Sequence, residues 1–358
     1  MAIVGTLALA GCGSDDNSGD STTGSSSAAG SVDCASGTIN SSGSTAQSNA
    51  MTQWIKDYQT ACGDATINYT GGGSGQGVTD FANGQTAFAG SDSALNPDKG
   101  EVEKADSRCK TGKALNIPMV AGPVAVVYNL EGVDGLVLTP GVLAKIFSGK
   151  ITTWDDAGIA KINPGVSLPS TKITAVHRSD SSGTTSNFTK YLEAAAGSDW
   201  TFGHDKQWKA PGGQGAAKSD GVAAAVKGAP NTVSYVEWSY ATQNDLSMAK
   251  IDNGGGAVEL TADAVGKAVA SAEITGTGDD LTMKLDYATK VPGAYPLLLV
   301  TYEITCQKGL DAGQAGLVKS FLTHTASDAG QAKLVELGYA PLPAEILTKV
   351  QATVSTIS

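Results

Sequence analysis

The chain has 358 residues, of which 41% are hydrophobic, and this length is typical of about two domains with sizeable cores. Its formal net charge of −11 argues against nucleic acid and against an anionic membrane surface as partners, since both attract basic proteins. No apolar run reaches the roughly 18 residues that a membrane-spanning helix needs. An anion-binding site in this chain would therefore depend on local dipoles, because the overall field repels an anion.

The N-terminal residues are apolar and lead into Leu9-Ala10-Gly11-Cys12, which resembles a bacterial lipobox. At such a site signal peptidase cuts before the cysteine, and the thiol receives a diacylglycerol. A basic segment normally precedes the apolar run of a signal peptide and is absent here, so residues 1–12 would be a signal peptide shortened at its N-terminus. Residues 13–33 are mostly small and polar and cannot bury a core, which predicts a flexible tether behind a lipid anchor on Cys12.

Beyond the tether, short apolar strand patterns alternate with segments whose apolar residues recur at helical spacing. The strand patterns lie at residues 38–40, 66–69, 87–90, 115–119, 124–129, 173–177, 232–235 and 297–302. The helical patterns lie at residues 46–61, from 78 onward, and at 139–147, 188–195, 310–322 and 328–337. This alternation predicts an α/β architecture with mostly parallel sheets and helices on both faces. We expect two lobes, with residues 34–120 and 293–358 in lobe I and residues 121–292 in lobe II.

Four cysteines follow the tether, and an even number in an exported chain predicts two disulfide bonds. Three pairings are possible. Cys34 precedes the first strand pattern and Cys62 ends the helix before the second, so neighbouring strands can bring them together. We therefore favour Cys34–Cys62 and Cys109–Cys306. The spacing offers no CxxC pair with a nearby histidine for zinc, and we expect neither a metal nor a cofactor.

Three stretches rich in Gly, Ser and Thr each precede a helical pattern: Ser44-Thr45, residues 71–77 and residues 178–184. The start of a helix carries unpaired N–H groups and a partial positive charge, so it can hold an anion. Ligands of α/β proteins bind at the carboxyl ends of the strands, where all three stretches are expected. The pattern predicts one cleft that encloses a small oxyanion.

Hydroxyl and backbone N–H groups in these stretches suit the many acceptor sites of a tetrahedral oxyanion. The candidates are Thr45, Ala46, Ser74, Ser182, Gly183 and Thr184. Arg178 can donate charge-assisted bonds to two oxygens, and Asp180 can orient its guanidinium. Asp92 is unfavourable beside a dianion unless it accepts a proton from the ligand, so it would select hydrogen phosphate over sulfate.

Several of these motifs resemble the PstS family, the phosphate-binding proteins of the phosphate-specific ABC importer of bacteria. The matching stretches are Gly43-Ser44-Thr45, residues 69–75, Gly90-Ser91-Asp92, and residues 146–156, 162–165 and 176–184. The resemblance runs from residue 38 to the C-terminus. It implies a type II periplasmic-binding-protein fold in which phosphate lies between the lobes, held by residues that match Thr45, Ala46, Ser74, Asp92, Arg178, Ser182, Gly183 and Thr184. The chain departs from the family pattern at Ala46 and at Gly75-Gln76, where binding would use backbone groups.

The resemblance also implies a monomeric receptor at the outer face of the cell membrane that passes phosphate to permease subunits by lobe closure. Alternatives are a phosphatase or phosphoryl-transfer enzyme with the same oxyanion cradle, a receptor for sulfate or molybdate, and an adhesion module that has lost its ligand. The sequence lacks the Gly-Lys-Ser/Thr of a nucleotide P-loop and the Gly-x-Ser-x-Gly of a nucleophile elbow. Its histidines, His177, His204 and His324, are scattered, so we expect no catalysis.

Overall fold

The computed structural model of the protein describes Val32–Ser358. The predictions for the signal peptide, for Cys12 and for most of the tether fall on residues outside this range. The strands are β1 (Gly37–Gly43), β2 (Ala65–Gly71), β3 (Phe88–Ser91), β4 (Ala114–Asn129), β5 (Val137–Leu138), β6 (Thr174–Arg178), β7 (Gln214–Ala216), β8 (Thr232–Glu237), β9 (Ser247–Met248), β10 (Lys250–Asp252), β11 (Ala257–Val258), β12 (Glu273–Ile274), β13 (Met283–Lys284) and β14 (Leu298–Cys306).

The helices are α1 (Ser48–Ala61), α2 (Ser74–Ala82), α3 (Glu101–Arg108), α4 (Pro140–Phe147), α5 (Ala157–Ile162), α6 (Gly183–Ala196), α7 (Lys218–Gly228), α8 (Trp238–Gln243), α9 (Ala262–Val269), α10 (Ala312–Thr325), α11 (Asp328–Glu336) and α12 (Ala344–Ser355). Single 3₁₀ turns occur at Pro97–Lys99 and Gly197–Asp199. Within residues 32–358, none of these helices combines the length and the apolarity needed to cross a bilayer. The predicted alternation of strands and helices is therefore present, and the α/β prediction is confirmed.

The principal sheet has the strand order β2-β1-β3-β14-β4-β8-β6-β7, with β9 also paired to β4. Its two ends are parallel, because β1 pairs in parallel with β2 and β3, and β6 with β7 and β8. Its middle is antiparallel, where β14 pairs with β3 and β4, and β4 with β8 and β9. The sheet is thus more mixed than the mostly parallel one predicted, since β4 and β14 connect the two halves in opposite directions.

Strand β4 is a single strand where the sequence predicts a strand pair broken around Gly122-Pro123. A proline removes one ladder hydrogen bond and is normally found at an edge or a bulge. Pro123 lies where β4 changes partners: it pairs with β14 opposite Leu298, and the next residue, Val124, begins the pairing with β8 opposite Glu237. The N–H group that Pro123 lacks is therefore missing at this change of partner, and the strand continues through the proline.

Buried apolar side chains form two cores, one for each lobe. The first includes Trp54, Phe88, Ile117, Ile304 and Phe321, together with Leu281 from the span predicted for lobe II. The second includes Val126, Phe147, Trp154, Tyr235 and Leu298. Strands β4 and β14 contribute to both cores, so these two strands connect the lobes. The predicted two-lobed fold follows from this division.

The structure confirms both disulfide pairings. Cys34 is bonded to Cys62 and Cys109 to Cys306, with Cα atoms 5.4 and 5.3 Å apart. The second bond joins the end of α3 to the end of β14, across 197 residues of sequence. A crosslink over so long a loop stabilises mainly by restricting the unfolded chain, by roughly 5 kcal/mol in the chain-entropy account. Cys62, Cys109 and Cys306 belong to the first core, which the bonds therefore reinforce.

Candidate anion-binding site

The three predicted stretches meet in the structure. Gly75 N at the start of α2 donates to Ser181 O at 3.0 Å, which joins the second stretch to the third. Thr45 Oγ1 lies 2.7 Å from Ser219 Oγ, which in turn accepts from Arg178 Nη1 at 3.2 Å. The predicted side chains among them are almost fully buried, with relative exposures of 0–4% for Thr45, Ala46, Ser74, Asp92, Arg178, Ser182 and Thr184.

Asp92 follows β3 and accepts hydrogen bonds from three hydroxyl groups. Ser44 Oγ and Thr301 Oγ1 donate to Oδ1 at 2.5 and 2.8 Å, and Ser74 Oγ donates to Oδ2 at 3.0 Å. Burial raises the pKa of Asp92 to about 6, although the hydroxyl bonds act in the opposite direction. A carboxyl group with this pKa can share a proton with a guest near neutral pH.

Arg178 ends β6, and its guanidinium is held by two sets of partners. Nε donates to Asp180 Oδ1 at 2.7 Å and Nη2 donates to Asp180 Oδ2, so the predicted orienting pair is bidentate. Nη1 donates to Ser219 Oγ at 3.2 Å and to Thr184 Oγ1 at 3.4 Å. Burial opposes ionisation of Asp180, but its bond to Arg178 lowers the pKa below the usual value. The pair therefore places a fixed positive group at the site.

Helix α6 begins at the site with a capped first turn. Ser182 Oγ accepts from Thr185 N at 3.2 Å, and Ser182 N donates to Lys206 O at 2.9 Å. The N–H groups of Gly183 and Thr184 belong to the first turn, where a helix has no internal acceptor for them. They and the helix dipole favour an anion at this position.

Two glycines allow the stretches to approach each other. A Cβ atom on Gly75 would lie 2.0 Å from Ser181 Oγ. A Cβ atom on Gly183 would lie 2.4 Å from Ser74 Oγ and 2.5 Å from Asp92 Oδ2. The glycines in these loops therefore serve close packing across the site as well as turn formation.

The predicted Ala46 N–H group is paired within its own loop. It donates to Ser44 Oγ at 3.0 Å, and Tyr339 OH donates to Ala46 O at 2.6 Å. His177 precedes Arg178 on β6, but its ring stacks on Trp208 with centroids 4.8 Å apart. The position of His177 is therefore explained by packing. Within residues 32–358, no group of three or more His, Cys, Asp or Glu side chains could hold a metal ion.

Four further residues complete the site: Ser44, Ser219, Glu237 and Thr301. Thr301 lies in the middle of the apolar strand β14, and Ser219 lies at the start of α7, which has no predicted helical pattern. Ser44 lies in a predicted stretch, but its hydrogen bond to Asp92, 48 residues away, has no signal in the sequence. Glu237 ends β8 and accepts from Thr184 Oγ1 at 2.5 Å. The sequence signal that could have indicated Glu237 is a carboxylate at the end of an apolar strand.

Comparison with known proteins identifies the family of this chain. Residues 28–329 match the family model of the PBP superfamily domain. The phosphate-binding protein PstS 3 of Mycobacterium tuberculosis is 44% identical over 99% of this chain and 96% of its own length. The chain belongs to the PstS family. The phosphate-binding protein PstS 2 of the same organism is 41% identical, over 100% of this chain and 97% of its own.

The PstS-family fold is also found among solved structures. A high affinity periplasmic phosphate-binding protein, solved with phosphate bound, superposes with a TM-score of 0.71 at 25% identity. The match covers 88% of this chain and 93% of the other. The resemblance stated from the sequence motifs and the two-lobed periplasmic-binding-protein fold are therefore both confirmed.

Proposed function

We propose that this protein is a receptor that binds inorganic phosphate outside the cytoplasm and delivers it to the permease of an ABC importer. The observation that carries the proposal is the single buried cluster in which Asp92, Arg178 and the first turn of α6 come together. Its PstS relatives are phosphate-binding proteins that match nearly the whole chain. Such transport receptors are not a class of enzymes, and we propose that this chain has no catalytic role.

Phosphate is held, in this proposal, by Thr45, Ala46, Ser74, Asp92, Arg178, Ser182, Gly183 and Thr184. On binding, the oxygens of phosphate would replace hydrogen bonds that these groups make with each other in this structure. Asp92 distinguishes the ligands, because hydrogen phosphate brings a proton to it and sulfate does not. A buried acceptor without a donor costs about 1–3 kcal/mol, and more when it is charged.

Lobe closure would enclose the ligand, with β4 and β14 as the connection that bends. Contacts between groups of the two lobes support this proposal. Asn187 Nδ2, on the second lobe, donates to Asp92 O on the first at 2.6 Å. Lys206 Nζ lies 2.9 Å from Glu101 Oε1 across the same cleft. These contacts belong to a closed arrangement, and opening would separate them to admit the ligand.

The proposed location is the outer face of the bacterial cell membrane, where a lipid on Cys12 would anchor a monomer. The lipobox and the following small, polar residues support this part of the proposal. Two disulfide bonds are also typical of a compartment outside the cytoplasm. The anchor would keep the receptor beside the permease subunits.

Calorimetric titration of the ligand-free protein with phosphate, and separately with sulfate, tests the proposal. We expect binding of phosphate and no measurable binding of sulfate. Arg178→Ala should weaken phosphate binding by roughly 10²–10⁴-fold, because it removes two charge-assisted hydrogen bonds. Arg108→Ala, which removes an arginine that lies over the Phe81 ring outside the site, serves as the control. Absence of a phosphate signal in the unmodified protein would refute the function.

A further inference from the structure

A cavity of about 430 Å³ lies beside the candidate anion site, and the function proposed above does not use it. Its lining includes the buried Asp92 at the site. It also includes Lys99, His204 and Lys284, which are exposed at the protein surface. The cavity therefore extends from the surface to the candidate site.

Helix α6 forms one wall of this cavity. Ser186, Asn187 and Lys190 line it, and they lie three to seven residues beyond Gly183 on one face of the helix. At a rise of about 1.5 Å per residue, Lys190 is roughly 10 Å along the helix from Gly183. An anion that moves along this face from Lys190 toward Gly183 approaches the positive end of the helix dipole.

Ion pairs involve several of the charged groups that line the cavity. Lys206 Nζ lies 2.9 Å from Glu101 Oε1, and Lys99 Nζ lies 2.6 Å from Asp205 Oδ1. Lys190 differs from these lysines, because its ammonium group has neither a carboxylate partner nor a hydrogen-bond acceptor among residues 32–358. It is therefore a cation of the cavity wall that is available to a guest.

The surroundings of Lys190 do not compensate its positive charge. Burial lowers the pKa of Lys190, and the charge of the nearby Lys206 lowers it further. A second group of the lining is also unpaired: Ser93 is 8% exposed, and among residues 32–358 its Oγ has no hydrogen-bond partner. An ammonium group and a hydroxyl group without partners are donors that suit an anion.

We propose that this cavity is an outer anion site through which phosphate enters, and that Lys190 attracts the ion to it. This inference rests on the proposed function and adds an entry route to it. Phosphate would pair first with Lys190 and then move along α6 to the helix start while the lobes are open. Because a chain of net charge −11 repels phosphate at long range, one unpaired cation on the route has a large effect on association.

The association rate of phosphate tests this role, because an entry residue acts on association and not on the bound state. Equilibrium dialysis with radiolabelled phosphate gives Kd, a rapid-filtration chase with unlabelled phosphate gives koff, and the ratio koff/Kd gives kon. Lys190→Gln should lower kon about 3- to 10-fold at about 20 mM salt and leave koff within about twofold. At about 0.5 M salt the loss of kon should fall below about twofold, since salt screens the attraction.

Two further substitutions of the same residue separate charge from shape. Lys190→Met keeps an unbranched stem without the charge and should behave like the glutamine variant. Lys190→Arg keeps the charge and should keep kon within about twofold of the unmodified protein. Lys56→Gln, which removes an exposed charge from α1, is the matched control and should leave kon within about twofold at both salt concentrations.

Unchanged kon in both uncharged variants would overturn the inference. A loss of affinity that comes from faster koff would also overturn it, because Lys190 would then hold the bound ion instead of guiding its entry. An equal loss of kon in the arginine variant would overturn the role of charge and with it the inference. Each of these results leaves the proposed function intact, whereas absence of phosphate binding by the unmodified protein would overturn both.

Discussion

Asp92 shows how burial sets the chemistry of one side chain. It is 3% exposed, and loss of hydration raises its pKa to about 6. Its three hydroxyl donors are Ser44 and Ser74, from two of the predicted stretches, and Thr301 on β14. The carboxylate is therefore held in place by segments that are far apart in the sequence. In the proposed function, a carboxylate fixed in this way would reject a guest that has no proton to give.

Asp92→Asn should therefore relax the discrimination between phosphate and sulfate. The asparagine amide can donate to a sulfate oxygen, so we expect sulfate binding to become measurable while phosphate binding weakens by about tenfold. Calorimetry with both anions measures the ratio, with exposed Asp64→Asn as the control. An asparagine variant that binds phosphate normally and still ignores sulfate would contradict this account of selectivity.

Glu303 is a second buried acid, on β14 behind the site. It is fully buried, and within residues 32–358 neither of its carboxyl oxygens has a hydrogen-bond partner. Burial raises the pKa of Glu303 to about 8; the nearby Gln47 side chain lowers it in part and the charge of Asp92 raises it further. Because the folded pKa exceeds the unfolded value, Glu303 contributes stability that is complete at low pH. That contribution is lost as the pH rises through about 8.

Glu303→Gln should remove this loss of stability at alkaline pH. We expect the variant to gain roughly 2–4 kcal/mol relative to the unmodified protein between about pH 5.5 and about pH 8.5. Urea unfolding at both pH values gives the difference directly. The exposed Glu131→Gln variant should show no such trend. A constant difference across the two pH values would show that Glu303 does not titrate in this range.

At the scale of elements, the starts of α2 and α6 face each other across the site with little room between them. The Cα of Gly183 on α6 is opposite Ser74 on α2 and Asp92 after β3. In the predicted division, Gly183 belongs to lobe II and the other two residues belong to lobe I. A side chain at position 183 would therefore separate the two helix starts at the proposed ligand site.

Gly183→Ala is expected to weaken phosphate binding by at least about tenfold, because overpacking of this kind costs about 1–3 kcal/mol. The ligand-free protein should keep its melting temperature, since an open arrangement relieves the contact. Calorimetry and thermal melting measure the two effects. Gly221→Ala in α7, whose added Cβ would meet nothing within 4 Å, is the matched control. Unchanged affinity of Gly183→Ala would show that the two helix starts do not close on the ligand.

At the scale of the whole molecule, a protein of net charge −11 would bind phosphate, as proposed, against its own overall field. The candidate site would compensate for this repulsion, because it buries helix N-termini and one guanidinium where water screens them poorly. The two connecting strands, β4 and β14, contribute to both cores. In the proposed mechanism, bending at these strands closes the lobes and thereby buries the anion.

Attachment to the membrane is a prediction about the whole chain that rests on Cys12. Metabolic labelling with palmitate should mark the unmodified protein and leave Cys12→Ser unlabelled. Ser14→Ala, two residues farther along, should be labelled normally. Labelling of the Cys12→Ser protein would refute the lipobox prediction.

Much of the fold and part of the site could be predicted from the sequence because the signals are local. Helix starts, glycine turns and the position of Arg178 beside Asp180 depend on neighbours only a few residues away. The disulfide between Cys34 and Cys62 follows from a strand and a helix that are adjacent in the chain. Such features are set by short-range hydrogen bonding and hydrophobic periodicity.

The tertiary structure alone decided which distant groups complete the site. Thr301 reaches Asp92 across 209 residues of sequence, and Ser219 reaches Thr45 across 174. The mixed pairing of β4 and β14, and the burial of Glu237 and Glu303, also follow from the way the two halves of the sheet join. The spacing of residues in the sequence does not predict these contacts, because each depends on desolvation and on a partner that only the folded chain brings near.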